Sequence, residues 1–284
     1  VDASGDADVA AFAGAPYEQD LDAQQPMSLH FRVAGFEATP EVRSQCGQVL
    51  EQARADGRLR LYGGPWMAPL SPGEYYFNAT RFAGDGVNPD DLSAAEIQGR
   101  EDARLMFDLF KERIPAFKDA YFVTTGPVVG VRETRRIVGD QTLSIDDVRG
   151  SNAYDDAVCL GGWWLDRHPV GSSGYHEHVI TRPYDISYGT LVPQGLSNVW
   201  VAGRCHSADS AALASSRVTL TCMGMGQAAG TAAAKSVREN LGSRELDIPS
   251  LQDELVAAGA IVGARAEQVR AVGDAMTSDQ MPSA

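Results

Sequence analysis

The chain has 284 residues, with 24 Lys and Arg against 38 Asp and Glu and a formal net charge of −14. That length holds ample core for one large domain or two smaller ones, and the negative charge argues against nucleic acid and anionic membranes as partners. No stretch is long and apolar enough to span a bilayer. The four scattered cysteines (Cys46, Cys159, Cys205 and Cys222) form no C-x-x-C pair, which fits reduced thiols in a cytoplasmic protein rather than a disulfide scaffold or zinc ribbon.

In chain order, Val1-Asp2-Ala3-Ser4-Gly5-Asp6 reads as a strand end turning on Gly5, with Asp6 placed to cap a following helix. Residues 25–33 alternate as a strand does, 41–54 have helical spacing, 62–73 form a Pro- and Gly-rich loop, and 75–82 are a second strand. Asn88-Pro89-Asp90-Asp91 supplies cap residues for a long amphipathic helix over 93–113, with Ile97, Leu105, Phe107, Leu109 and Phe110 facing core, and Ile114-Pro115 stops it. Further strands are expected at 120–125 and 128–131. In GVRETRRIVGD, from Gly130 to Asp140, an extended backbone puts Arg132 and Arg135 on one face. Either these arginines form salt bridges on a half-exposed strand, or one of them steadies a substrate carboxylate, a carbonyl oxygen or a cofactor anion.

Residues 161–188 hold three of the five histidines. His176-Glu177-His178 offers two imidazoles and a carboxylate, but no third ligand lies at useful spacing, so no metal site is expected. A histidine acting as general acid or base is the sharper role, with packing as the bland alternative. Further on, the apolar run Val199-Trp200-Val201-Ala202 ends on Gly203 and reads as a buried strand. Residues 224–235 are a Gly/Ala run whose small surface suits a large flat ligand. Its G-x-G-x-x-A pattern is a weak dinucleotide fingerprint: the preceding 218–223 alternates with Thr, unlike a buried parallel strand, and too little chain follows. Cys205 and His206 are neighbours whose side chains point apart, which excludes a nucleophile–base pair. Residues 250–265 show a helical pattern, and 277–284 read as a frayed tail.

Three stretches share more than periodicity. VDASGDADVAAFAGAPYE at the start, the 75–140 block with NATR and GVRETRRIVGD, and VAGRC…RVTLTCMGMGQAAGTAAA near the end together resemble an FAD-dependent oxidoreductase family. The resemblance implies an α/β fold, in which an α+β substrate-binding domain (21–185) is inserted into part of a Rossmann-like FAD-binding domain (1–20 and 186–240), followed by a helical segment and tail (241–284). It implies FAD as cofactor, near Asp2, Ser4, Gly5 and Asp6 from the first motif and Gly203, Arg204, Cys205, Met223, Gly224 and Gln227 from the last. A hydride would pass between a small organic substrate and FAD, in either direction. His168, His178 or His206 would handle the proton, with Arg132 and Tyr188 beside them, and the helix expected to start near Met223 would stabilise the reduced flavin. Departures from the family pattern are Ser4 for Thr, Ser187 for Pro, Gly189 for Arg, Leu220 for Pro and His206 for an apolar residue. The family's Gly-rich ADP-cradling segment is not found in these residues; a second polypeptide, separate or cleaved, is expected to supply it, the other option being that the segment lies outside this sequence. The alternative is a non-catalytic structural subunit of a heteromeric flavoprotein.

Overall fold

A computed structural model describes residues 1–168, 178–179 and 181–277, with His178 and 272–277 described at the backbone only. His176 of the His176-Glu177-His178 run and the tail from 278 lie outside the described residues. In chain order the elements begin with α1 (Asp8–Phe12), β1 (Tyr17–Glu18), β2 (Phe31–Ala34), α2 (Pro40–Ala55), β3 (Tyr62–Ser71), β4 (Glu74–Thr80), α3 (Pro89–Arg113) and β5 (Tyr121–Thr125). They continue with β6 (Arg136–Ile137), α4 (Ile145–Gly150), β7 (Ala157–Gly161), β8 (Leu165–Asp166), β9 (His178–Val179) and β10 (Tyr184–Ser187). Four helices close the chain: α5 (Ser210–Ser216), α6 (Thr219–Glu239), α7 (Ile248–Ala257) and α8 (Ala264–Thr277). The chain is therefore mixed α/β, as expected. It divides into two compact units: Val1–Asp20, Glu133–Arg167 and the described part of Glu177–Ala284 form the first, and Leu21–Arg132 with His168 the second.

The second unit is a four-stranded antiparallel sheet in the order β3-β4-β2-β5. Strand alternation sends Phe31, Val33 and Phe77 into one core with Cys46 and Leu50 of α2 and Met106 and Phe110 of α3. Both helices start on a capping side chain followed by proline: Thr39 Oγ1 accepts from the Val42 amide before Pro40, and Asn88 Oδ1 from the Asp90 amide before Pro89. The long helix thus opens four residues before the expected 93. Its buried stripe runs through Ala95, Gly99, Ala103, Met106 and Phe110, a period that turns Ile97 outward to 63% exposure. The expected loop over 62–73 is instead strand β3. Its pairing with β4 shifts register on either side of the Pro65 to Pro69 stretch, where missing amide donors break the ladder. The expected strand at 128–131 contributes only a bridge from Gly130 to Ser28.

In the first unit, Val201 pairs in parallel with Asp2, the Asp2 amide donating to Trp200 O at 2.7 Å and the Ala202 amide to Asp2 O at 2.9 Å. The apolar run at 199–202 is buried as expected from Trp200 to Ala202, but makes this single bridge rather than a strand. Antiparallel β7 and β10, with Tyr184 and Ile186 inward, pack with Trp200, Leu213 and the Met225, Ala228 and Ala229 face of α6. The stretch at 218–223 is not extended: α6 begins at Thr219, and the Gly/Ala run is its middle. The helix expected over 250–265 is broken into α7 and α8 by Gly259 and Gly263, both at positive φ (90° and 57°), a backbone that glycine adopts without strain.

Candidate functional site

Asp2 organises the amino-terminal corner. Its carboxylate accepts from the Ser4 amide (3.0 Å), the Ser4 hydroxyl (2.7 Å) and the Ala10 amide (2.9 Å). Burial alone would raise this carboxyl, but the donors from Ala10, Ser4 and Val9 together hold it below its ordinary value. Ser4 Oγ in turn accepts from the Asp8 amide at 3.0 Å, at the start of α1. Asp6 does not cap that helix; Ala7, in the left-handed region, takes the cap position. Asp6 instead turns toward Arg204, accepting from Nη2 at 3.2 Å and from Thr134 Oγ1 at 2.6 Å.

Gly203 sits at φ 95°, so the chain turns sharply after the bridged Val201 and delivers Arg204 and Cys205 to the same corner. Gly5, at φ 84°, lies flat against the Arg204 guanidinium, whose Nη1 is buried without a hydrogen-bond partner. Cys205 is fully buried, with burial raising its thiol to about 11, which keeps it protonated and unreactive at neutral pH. A β-carbon on Gly203 would stand 4.0 Å from Cys222 Sγ, which ties this turn to the first turn of α6. The Asp2–Asp6 segment, the Gly203–Cys205 turn and the beginning of α6 thus meet in one unit, although about 200 residues separate them in sequence.

The amino terminus of α6 has no side-chain cap on Val218, so its first amides are left for another acceptor. Met223 falls in the second turn rather than at the helix start. It is 65% exposed, on a face shared with Leu220, Gly226, Gly230 and Val237. A β-carbon on Gly226 or Gly230 would meet nothing within 4 Å, whereas one on Gly224 would press on Cys159 at 3.0 Å. The glycines therefore divide between an open face and a packed one. Gln227 is exposed beside Gly226.

The proton-handling candidates sit in differing surroundings. His206 is fully buried, its Nε2 2.8 Å from Ser216 Oγ and its Nδ1 without a hydrogen-bond partner. Burial, with help from Arg136, lowers its imidazole to about 3, so it is neutral throughout the physiological range. Tyr188 is also buried. Its hydroxyl donates to Ser243 O and accepts from Trp200 Nε1, both at 2.7 Å, and burial raises it to about 12. His168 is buried in the second unit, its amide 3.4 Å from Gln25 Oε1. The His178 backbone pairs with Asp166 across β8 and β9. Arg132 belongs to the second unit, where Nη1 donates to Pro26 O and Ser28 Oγ, both at 2.7 Å. Arg135 belongs to the first, where it pairs with Asp8. The shared face expected of these two arginines is therefore replaced by separate tasks in separate units.

Sequence reasoning missed one buried group. Glu133 and Arg136 form an ion pair at 3.3 Å, with Ser210 Oγ donating to Glu133 at 3.0 Å. The alternating charges of GVRETRR were the only signal of it, and alternation alone reads as a solvated face.

A family model described as FAD dependent oxidoreductase matches residues 1–255. The chain belongs to that family. It is accordingly an FAD-dependent oxidoreductase, a flavoprotein. Neither the curated proteins nor the solved structures compared with it gave a match. The corner described above fits such a cofactor on its own chemistry: a buried guanidinium nitrogen lacks an acceptor, an uncapped helix terminus offers amides to an electron-rich edge, and two helix glycines leave an open face. Among the described residues no cluster of three metal-ligating side chains occurs, and no helix is long and apolar enough to cross a membrane.

Proposed function

We propose that the first unit holds FAD through the corner built by Asp2, Ser4, Gly5, Asp6, Gly203, Arg204 and Cys205, with Met223 and Gln227 of α6 completing it and Gly224 seating the helix on Cys159. The second unit then holds a small organic substrate. The observation that carries this reading is the buried Arg204 Nη1 without an acceptor, held beside Gly5 and Asp6. A buried charged donor left unpaired costs free energy that an anionic or carbonyl-bearing ligand recovers.

When bound, FAD supplies a two-electron acceptor or donor for a hydride exchanged with a substrate C–H bond. The chain's own part is to bind and orient. Asp6 holds the Arg204 head in place, the two turn glycines bring backbone close to the ligand, and the α6 amides offer partial positive charge to an electron-rich edge. Because α6 starts at Thr219, that charge acts from residues 219–221, and Met223 contributes its side chain to the open face instead.

Proton handling falls to His168 or His178. His206, held neutral and deep against Ser216, is too weak a base for the task and instead positions α5 against the Gly203 turn. Tyr188, with its hydroxyl engaged twice, likewise serves packing. The exposed apolar stripe of Leu220, Met223 and Val237 on α6 supports cover by a second polypeptide that carries the ADP-binding segment.

Denaturing liquid chromatography–mass spectrometry of natively isolated protein tests both parts. Release of FAD is the expected result for the cofactor reading, and co-release of a chain with a Gly-rich dinucleotide motif for the partner. Flavin-free protein from flavin-replete cells that also fails to take up added FAD would defeat the assignment of the corner.

A further inference from the structure

The corner around Arg204 has a further neighbour that carries no glycine motif, the segment 134–137. Thr134 Oγ1 donates to Asp6 Oδ1 at 2.6 Å, and the same oxygen accepts from Arg204 Nη2 at 3.2 Å. Arg135 pairs with Asp8, and its guanidinium lies 5.7 Å from the ring centroids of both Phe12 and Tyr17. The Ile137 amide donates to Cys205 O at 3.0 Å, so the segment also holds the turn that follows Gly203. One short stretch therefore fastens the Asp6–Asp8 loop and the Gly203–Cys205 turn at once.

The segment is itself firmly seated. Glu133 and Arg136, on either side of it in sequence, form the buried ion pair at 3.3 Å. Antiparallel pairing of β6 with β1 sets Ile137 opposite Tyr17 and Arg136 opposite Glu18. Thr134 is 1% exposed, and its β-branched side chain has few rotamers, so its hydroxyl occupies a defined place. Asp6 and Arg204 differ from it: each side chain is 22% exposed, and an arginine left to itself samples many rotamers. A carboxylate oxygen that accepts from a buried hydroxyl and from a guanidinium cannot swing toward water without losing both. The Arg204 head is thereby held with Nη2 on Asp6, while Nη1 is buried and has no hydrogen-bond partner among the described residues.

We propose that Thr134 is a positioning residue for the flavin: through Asp6 it fixes the Arg204 guanidinium so that Nη1 meets an electron-rich atom of FAD. Thr134 acts through two other side chains and has no contact of its own with the cofactor. Its contribution is preorganisation. An arginine already held in its binding geometry loses less rotamer freedom when the ligand arrives, and a first layer of ligand contacts is as precise as the side chains that lock it. The inference rests on the assignment of this corner to FAD.

Equilibrium titration with FAD tests it, on natively isolated protein stripped of flavin, with any co-isolated chain retained. Thr134→Val keeps the shape and removes only the hydroxyl, and is expected to weaken FAD binding about fivefold or more. Thr134→Ser is expected to bring the affinity back to within about twofold of the parent. In an Arg204→Met background the Thr134→Val loss is expected to vanish, because no guanidinium is left to hold; a merely structural hydroxyl would cost the same in both backgrounds. Unfolding midpoints of the same samples show which variants are folded, and Thr134→Ala repeats the measurement if Thr134→Val is not recovered folded. Parental affinity in the folded variant lacking the hydroxyl, a loss that serine does not restore, or an equal loss in the Arg204→Met background would overturn the inference. A parent that takes up no FAD, or Arg204→Met with parental affinity, overturns it together with the assignment of the corner. Weakened binding in Arg204→Met beside parental binding in Thr134→Val overturns it alone.

Discussion

Gly5 and the Arg204 guanidinium are in such close contact that a β-carbon on Gly5 would lie 2.4 Å from Nη2. Gly5 also occupies φ 84°, a conformation that other residues adopt only with strain. The side-chain end of an arginine can move aside, so the folding cost of Gly5→Ala is set mostly by the backbone, about 1–2 kcal/mol. Its effect on the cofactor is expected to be larger than that cost suggests, because Arg204 must leave its place beside Asp6. A urea titration paired with FAD quantification checks this: a lowered midpoint with a disproportionate loss of FAD is the expected pair.

Arg204→Met separates the two roles of the arginine. The ion pair with Asp6 is part-exposed at 3.2 Å, a setting in which such pairs contribute about 0–1 kcal/mol. Removing the unpartnered Nη1 also relieves a desolvation penalty. The variant is therefore expected to match the parent in stability within about 1 kcal/mol, yet to bind FAD at least tenfold more weakly. Retention of the parental FAD affinity would remove Arg204 from the cofactor site.

His206 gives stability a pH dependence of predictable sign. Its folded-state value of about 3 lies below the ordinary 6.5, so the unfolded chain takes up the extra proton as acid is added. The stability associated with the neutral, buried ring is complete above pH 6.5 and is lost as pH falls from there toward 3. Between pH 7 and 4.5 this amounts to about 3 kcal/mol, at roughly 1.4 kcal/mol for each of the two units between 6.5 and 4.5. In His206→Gln, which retains a polar partner for Ser216 and cannot titrate, the pH 7 to 4.5 difference is expected to shrink by about that amount. Chemical denaturation at the two pH values measures it.

Glu133 is nearly inaccessible and pairs with the equally buried Arg136. Glu133→Ala leaves a buried guanidinium with, among the described residues, the Ala208 carbonyl (2.5 Å) and the more distant Glu18 (3.4 Å), and is expected to cost about 3–5 kcal/mol. Adding Arg136→Met should restore much of that loss, since a neutral pair no longer strands a charge. A double-mutant cycle from urea unfolding decides it; additive losses would show that the two side chains act independently.

Local chemistry alone disclosed a good share of the molecule. Asn88-Pro89 announced the long helix because caps and prolines act within one turn, and helical spacing over 41–54 announced α2. The family motifs around Gly5, Gly203 and Gly226 marked the corner proposed here for FAD, since glycine is demanded wherever backbone turns sharply or must be approached. Other features escaped a sequence reading for physical reasons. The Pro- and Gly-rich stretch at 62–71 became strand β3 because β4 offers it an edge, a non-local gain that outweighs poor propensity. The alternation of GVRETRR suggested salt bridges on a half-exposed strand, yet Glu133 and Arg136 are buried as a pair, a depth that no local pattern reveals.

What the sequence by itself determined is the family, the FAD dependence and the presence of α2 and α3, though not where α3 and α6 begin. What only the tertiary structure decided is which residues share an environment. Asp2 and Val201 are bridged across the chain, Arg132 and Arg135 serve different units three residues apart, and His206 is neutral because it is buried beside Arg136. Burial, charge proximity and an unpartnered donor are properties of packed neighbours, and in an unfolded chain those neighbours are water.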